Sequence, residues 1–386
     1  MIGNVLAIAK GGAGIVRDGE RTVFVPGVVA GETVEYDDAG RLHSAWRGRL
    51  LRVLEPSRER VPPPCPHYGD CGGCNLQHMS IAEQQRSKAA ILAENLRRIA
   101  GSAPPSPPLL ASPAERFRSK AEFQVAGGAA GFFARESHRV VAVGGCLLLP
   151  RASEEHFLRL RPRTAALERG QWRVLSNGDI VASRLEGEDG RGEWLSRERT
   201  VPFAIGLHEW RVGPENFVQA NLFQLAPMAA LLTDVVERER PGSAADLFCG
   251  AGFFTLPLAA RCGRVTALES DPANLASLRA NLERNRIGHV RVLAADALRG
   301  APLDAELVVV DPPRGGLSGR LVSALAGGRA RTVVYFSCDS ATFARDLRLF
   351  QARGFALEAL KLIDNFPHSD HFEIFSVLKR IELRDA

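Results

Sequence analysis

The sequence predicts a multidomain α/β protein: an N-terminal β-barrel of the oligonucleotide-binding kind, a β-rich central domain and a C-terminal Rossmann-like domain. Three observations carry this. The chain has 386 residues, more than one ordinary core organises. Residues 1–55 hold short apolar runs punctuated by glycine, the pattern of a small closed barrel. From Ser243 onward, apolar strand-like runs alternate with glycine turns and helical stretches, as in a parallel sheet. The expected divisions are 1–55, 56–225 and 226–386.

Composition narrows the function classes. With 45% hydrophobic and 24% charged residues the chain reads as soluble and globular. No apolar run reaches the roughly 20 residues of a membrane span, and the N-terminus lacks a secretory pattern, so a cytoplasmic protein without membrane attachment is expected. The net charge of +5, carried almost wholly by arginine, leans towards an anionic partner such as nucleic acid. No feature points to a protein partner. Seven cysteines, an odd number without a secretory signal, argue for metal-binding or nucleophilic roles over disulfides.

The barrel strands are expected at 4–8, 21–25, 33–36 and 46–53, separated by Gly11-Gly12-Ala13-Gly14, Pro26-Gly27 and Asp37 to Gly40. Period-2 alternation from Arg41 to Arg49 puts Arg41, His43, Arg47 and Arg49 on one face, available to phosphates, with Leu42, Trp46 and Leu50 on the other. Gly11 to Val16, Val23 to Gly27 and Gly31 to Val34 resemble a TRAM domain, an RNA-binding barrel fused to tRNA and rRNA modification enzymes.

Pro62-Pro63-Pro64 leads into Cys65, Cys71 and Cys74, with Gly69, Gly72 and Gly73 allowing tight turns that direct three thiolates at one centre. Zinc would need a fourth donor such as His67 or His78, and an iron-sulfur cluster a fourth thiolate such as Cys146. Spacing leaves both open. The arrangement resembles the 4Fe-4S site of 5-methyluridine RNA methyltransferases, in which a distant cysteine after a Gly-Phe-(Phe/Tyr)-Arg segment completes the set. Gly131-Phe132-Phe133-Ala134-Arg135 stands before Cys146 here, so the resemblance implies Cys65, Cys71, Cys74 and Cys146 as ligands. Ser80 and Glu83 form a capping box opening a helix that stops at Gly101. Arg118 and Lys120, two apart on an expected strand, are candidate RNA contacts, as is Phe132. Residues 150–210 are expected to add strands to the central domain. Asn216 to Asn221 resembles the family's Phe-x-Gln-x-Asn segment, which implies that Gln219 contacts the methyl donor.

In the C-terminal half, Asp246-Leu247-Phe248-Cys249-Gly250-Ala251-Gly252-Phe253 closes a strand with glycines where a backbone must approach a ligand. The third glycine of a pyrophosphate turn is missing, which favours S-adenosylmethionine over a dinucleotide. Phe248, Gly250, Gly252 and Phe253 are therefore donor-site candidates, Phe253 standing where relatives commonly have asparagine. Glu269 ends the second strand, placed for ribose hydroxyls, and Asp296 follows the third, placed for adenine. Strand four runs into Asp311-Pro312-Pro313-Arg314, and strand five, Thr332 to Phe336, into Cys338.

A free cysteine is usually a buried core thiol. Cys338 departs from that expectation because it ends a strand beside Asp311 and Arg314, where open α/β sheets hold ligands. Asp364 to Ile374 resembles the family's Phe-Pro-x-(Thr/Ser)-x-His-x-Glu motif, which makes Glu373 the implied general base. Nearly the whole chain is similar to bacterial 5-methyluridine RNA methyltransferases. The resemblance implies methyl transfer from S-adenosylmethionine to uridine C5 through a Cys338 adduct at C6, with Asp311 and Arg314 positioning uracil. Ribosomal RNA is the favoured substrate because the tRNA-specific branch typically lacks the barrel and the cysteines. The alternatives are the same chemistry on tRNA, and an RNA-binding iron-sulfur protein without catalysis. Cys249 and Cys262 are left to packing.

Overall fold

The computed structural model describes residues 1–299 and 304–381. Strands β1 (Ile2–Ile8), β2 (Ala13–Asp18), β3 (Arg21–Pro26), β4 (Thr33–Leu42) and β5 (Ala45–Glu55) close into a barrel in the order β1-β2-β3-β5-β4. Alternate residues, among them Val5, Val16, Val23, Val25, Val34 and Tyr36, fill its interior. Arg41 to Arg49 is not one strand. The chain turns at His43–Ser44, and Arg41 then lies opposite Trp46, and Asp37 opposite Arg49. A two-residue turn with polar residues preserves period-2 alternation, so the pattern hid the hairpin. The expected basic face is also partly neutralised: Arg49 pairs with Asp37 at 2.8 Å and Arg47 with Glu136 at 3.0 Å.

Helix α1 (Ile81–Asn95) starts where Ser80 Oγ accepts a hydrogen bond from the Glu83 amide at 3.2 Å. The reciprocal half of the capping box is absent, because the Glu83 carboxylate turns to Arg86 and Ser87. The helix widens into a π-helical turn over 96–100 and ends at Gly101 in the left-handed region. Ile91, Leu92 and Leu96 bury against the C-terminal domain. The short β6 (Leu109–Leu110) then joins the edge of that domain's sheet.

The central sheet comprises β7 (Lys120–Ala126), β8 (Ala129–Phe133), β9 (Val140–Ala142), β10 (Arg169–Ser176), β11 (Val181–Gly187) and β12 (Gly192–Trp194), in the order β12-β11-β10-β7-β8-β9. Helix α2 (Arg151–Leu160) packs on it, Phe157 stacking on Phe123 with ring centroids 4.1 Å apart. Arginine and glutamate on the outer face of α2 conceal it in a stretch where only strands were expected. The hairpin β13 (Val201–Ile205) and β14 (His208–Val212) shares its core with the C-terminal sheet through Val201, Phe203, Trp210 and Val212.

That sheet has eight strands in the order β17-β16-β15-β18-β19-β21-β20-β6. After α3 (Leu225–Glu239) come β15 (Ser243–Leu247), α4 (Thr255–Ala259), β16 (Arg264–Glu269), α5 (Pro272–Arg284), β17 (Val290–Ala294), β18 (Leu307–Val310), α6 (Gly319–Gly327), β19 (Thr332–Ser337), α7 (Ser340–Gln351), β20 (Phe355–Ile363) and β21 (Glu373–Arg380). Strands β15, β18 and β19 are buried along their whole length, as continuous apolar runs require in a sheet covered on both faces. Strand β21 inserts antiparallel between β19 and β20, which sets Ile374 opposite Ser337. Among the described residues no helix is long and apolar enough to cross a membrane.

Candidate active site

The strand order reverses between β15 and β18, and a cleft of about 720 Å³ opens beyond the carboxyl ends of the strands. Loops after four parallel strands deliver Phe248 and Gly250, Glu269, Asp311 and Arg314, and Cys338 to it. Because β21 runs antiparallel, its first residue, Glu373, arrives at the same edge. Gln219 and Arg118 reach the cleft from the segments packed over the sheet.

On the β15–β16 side, Gly250 adopts φ +53, and a Cβ there would meet nothing within 4 Å, so the turn leaves space beside the cleft. Its amide donates to Glu269 Oε2 at 2.9 Å, while Glu269 Oε1 accepts from the amides of Ser270 and Asp271. This fixes the carboxylate at the rim with lone pairs left for hydroxyl donors. Phe248 also holds a positive φ, 61°. Gln219 Nε2 donates to Asp311 Oδ2 at 2.8 Å.

The opposite side gathers ionisable groups out of water. Burial, with Glu373 and Asp311 close by, pushes the Cys338 thiol up to about 12, against the pull of Arg314. Burial pushes Asp311 up to about 7 despite the Gln219 hydrogen bond. Burial and the nearby Asp311 hold Glu373 well above the usual carboxylate range, and its Oε2 has no partner. Burial therefore favours the protonated forms of Cys338, Asp311 and Glu373. A cationic ligand entering the cleft would favour their ionised forms. A thiol, a buried carboxyl and a flanking guanidinium in one cleft can together perform nucleophilic addition and proton abstraction.

A second, smaller cavity lies across the Gly72–Gly73 loop, and Arg118 lines both. Cys65, Cys71, Cys74 and Cys146 all face it, among Phe132, Val143, Leu147 and Leu148. Gly72 permits the approach, since a Cβ there would sit 2.8 Å from the Phe133 carbonyl. The histidines that could complete a zinc site are engaged: both His78 ring nitrogens have partners, Tyr68 and the Val28 carbonyl, and His67 Nε2 accepts the Gly144 amide at 3.0 Å. Among the described residues no three His, Cys, Asp or Glu side chains converge as a site for a single ion. Four thiols spread around one apolar cavity suit a group larger than one ion. Burial pushes Cys74 up to about 12 and raises Cys71 and Cys146, so without a cationic centre they are thiols.

Some expected residues stand elsewhere. Asp296 caps the turn at 297–299, its Oδ1 accepting the Leu298 amide at 3.0 Å, and does not line the cleft. Gly252 serves packing, since a Cβ there would meet Leu278 at 2.7 Å. Phe253 is buried edge-on against Trp210 and reaches only a narrow inner recess. Lys120 donates to the Asn216 carbonyl at 2.8 Å and lies 3.4 Å from Glu122, so its charge is spent within the fold. Phe132 lines the cysteine cavity and an open groove beside it, not the cleft. Asn75, Asn274, Asp370 and His371, given no role from the sequence, also line the cleft; Asp370 and His371 stand inside the Asp364 to Ile374 motif, and Asn75 directly follows Cys74.

Residues 207–381 match the family model described as tRNA (Uracil-5-)-methyltransferase. The 23S rRNA (uracil(1939)-C(5))-methyltransferase RlmD of Halomonas elongata is 32% identical over 97% of this chain and 88% of its own length. RlmD of Acidithiobacillus ferrooxidans is 32% identical over 96% and 95%. The Pyrococcus abyssi tRNA (uracil-54, C5)-methyltransferase, solved with S-adenosyl-L-homocysteine, shares the fold at a TM-score of 0.78 and 21% identity, covering 98% of this chain and all of that one. Similarity sustained from the barrel to the last strand, together with that shared fold, means that the chain belongs to the 5-methyluridine RNA methyltransferase family.

Proposed function

We propose that this protein transfers a methyl group from S-adenosylmethionine to C5 of a uridine in 23S rRNA through a covalent Cys338 intermediate. The observation that carries the reading is that the Cys338 thiol and the Glu373 carboxyl line one cleft at the carboxyl edge of the sheet. S-adenosylmethionine supplies an electrophilic methyl, and Glu269, Gly250, Phe248 and Gln219 are the residues at hand to bind it. Uracil C5 is a weak nucleophile. Addition of the Cys338 thiolate to C6 turns C5 into an enolate-like carbon that takes the methyl as the donor's S–CH3 bond breaks, leaving S-adenosylhomocysteine. Glu373 then accepts the C5 proton, the C6–S bond breaks, and 5-methyluridine is released with the thiolate restored. Arg314 and Asp311 stabilise charge at the uracil carbonyl edge. Extruding the uridine costs a few kcal/mol, offset by phosphate contacts of the barrel and Arg118.

Cys65, Cys71, Cys74 and Cys146 are assigned to a 4Fe-4S cluster, supported by the all-thiol donor set and by the engaged histidines. When bound, it would tie Cys146 to the 65–74 loop. An anaerobic preparation holding zinc and no iron overturns this assignment. A three-module division at 1–55, 56–225 and 226–386 in a cytoplasmic enzyme completes the reading, with hairpin 201–212 packed on the third module.

Relatives that act on 23S rRNA are 32% identical to this chain, against 21% for the tRNA enzyme, which supports rRNA as substrate; the tRNA enzyme covers 98% of this chain too, so the barrel and the cysteine segment do not by themselves separate the two. Mapping 5-methyluridine in both RNAs, in cells with and without the protein, tests it. Loss at one 23S position is expected; loss confined to tRNA overturns the rRNA reading. No donor-dependent methylation of either RNA favours the non-catalytic alternative.

A further inference from the structure

Glu373 has no side-chain partner for its buried Oε2; its own backbone pairs with Ile363 of β20 as the first residue of β21, and it is fed by the backbone before it. That backbone is the irregular loop 364–372, and what holds the loop comes from the other end of the chain. Lys88 of α1, fully buried, donates to Asp364 Oδ1 at 2.6 Å and to the Phe366 carbonyl at 2.9 Å. Gln84 Oε1 accepts the His368 amide at 2.7 Å. The amides of Asn75 and Leu76 both donate to the His368 carbonyl at 3.0 Å.

The densest contact lies nearest the glutamate. Asp370, 3% exposed, accepts the Gly11 amide on Oδ2 at 2.7 Å and Asn75 Nδ2 on Oδ1 at 2.7 Å. In return its own amide donates to Asn75 Oδ1 at 3.0 Å. Burial works against the Asp370 carboxylate, yet the Asn75 and Gly11 hydrogen bonds hold it below the usual carboxylate range. The glycine turn of the barrel makes this approach possible: at Gly12, φ +77, a Cβ would stand 2.8 Å from Asn75 Nδ2. Lys10 of the same turn lies 5.5 Å over the ring of Phe372, the residue before Glu373.

We propose that Asp370 and Asn75 form a clamp that positions Glu373, through which the barrel turn and the cysteine loop set the geometry of proton removal from C5. The proposal rests on Glu373 being the base, as assigned above. Asp370 and Asn75 are positioning residues: only His371 and Phe372 separate Asp370 from Glu373, too few for slack to be absorbed between them. Asn75 follows Cys74 directly, so whatever orders the cysteine loop also orders the base. The competing view is that these bonds merely fasten the barrel to the catalytic domain.

The two views differ in where the reaction stalls. With 23S rRNA fragments and S-adenosylmethionine, Asp370→Ala should lower kcat by about tenfold to a hundredfold, as misplacement by about 1 Å does. KM for RNA and donor should not rise, and should fall with kcat as adduct accumulates, since only a step after binding and addition is slowed. Methylated protein–RNA adduct should accumulate on a denaturing gel. Asn75→Asp, which sets a second carboxylate against that of Asp370, should behave alike. The exchange Asn75→Asp with Asp370→Asn can remake the bonds to the Gly11 amide, to the main-chain amide of position 370 and between the two side chains with roles reversed, losing only the bond from Asn75 Nδ2 to the Gly11 carbonyl, to which Arg135 also donates, and should recover turnover to well above that of either single variant. This pair carries the test if Asp370→Ala does not fold.

Single variants turning over at the parent rate overturn the clamp. So does a loss without adduct accumulation, or an exchange variant no better than its single parents. A parent protein showing no donor-dependent uracil methylation instead overturns the proposed function, and the clamp with it.

Discussion

Cys338 and Cys74 begin with the same chemistry and carry the same handicap, since burial pushes both thiols up to about 12. Their surroundings separate them. Cys338 borders an open cleft with Glu373, Asp311 and Arg314, groups that can move protons and bind a polar ring. Cys74 borders a smaller cavity with three further thiols and a largely apolar wall, which excludes a pyrimidine and sets four sulfurs around one space. Arg118 lines both cavities, yet it does not blur the difference. A thiol's function here follows from what else shares its cavity, and the two sites can be tested against each other.

The largest effect is expected from Cys338→Ala. Removing the nucleophile should abolish adduct formation and lower methyl incorporation by at least about 10⁴-fold, with thermal stability nearly unchanged because the thiol is only half buried. Methylation that survives this change sinks the nucleophile assignment. Glu373→Gln should slow turnover by about 10²- to 10⁴-fold while adduct accumulates, because addition precedes proton removal. Cys74→Ser should invert the pattern: iron content falls, the thermal midpoint drops by about 5 °C or more, and residual turnover exceeds that of Cys338→Ala. Equal stability losses for Cys338→Ala and Cys74→Ser would erase the distinction between the sites.

A third comparison uses pH. The Cys338 thiol, pushed up to about 12, is mostly protonated, so its thiolate fraction grows about tenfold per unit through the neutral range. Single-turnover adduct formation at subsaturating donor should rise with pH at close to that slope between about pH 6 and 8. A flat profile would show that the nucleophile is already ionised.

The cleft was legible to different depths. Strands β15, β16, β18 and β19 were readable because continuous apolar runs end in glycine, acid or cysteine, and the topology then brings those ends together. Glu373 was not readable from pattern alone. It comes 35 residues after Cys338 and meets it only because β21 inserts antiparallel between β19 and β20, so the motif resemblance supplied what spacing could not. Asp296 and Lys120 looked available because sequence shows a charge but not its local partner, here the Leu298 amide and the Asn216 carbonyl. The Asn75–Asp370 contact spans 295 residues and leaves no periodic trace. Helix α2 escaped because its charged outer face outweighed the buried Ser153, His156 and Phe157.

The smallest expected effect contrasts a carboxyl in the protein interior with those in the cleft. Asp246, at the end of β15, is fully buried; Oδ2 accepts from Thr255 Oγ1 at 2.6 Å and Oδ1 has no partner. Burial, with Asp311 and Glu269 nearby, pushes it from the ordinary 3.8 up to about 8. Between those values the folded chain binds a proton that the unfolded chain does not. Stability from this group is therefore fully present below about pH 4 and is lost as pH rises towards 8, by at most about 1.4 kcal/mol per unit. Asp246→Asn keeps an acceptor for Thr255 and removes the titration, so its urea midpoint should gain on that of the parent as pH goes from 5 to 8. Parallel midpoints across that range would mean that Asp246 is ionised in the folded protein. Asp311 differs in a measurable way: it borders the cleft, so a bound sulfonium donor should lower its proton affinity, while Asp246, sealed beneath the glycine turn, should respond less. Repeating the midpoints for Asp246→Asn and its parent with S-adenosylhomocysteine, the uncharged thioether, and with S-adenosylmethionine separates the two carboxyls, because only the cleft group should distinguish the ligands strongly.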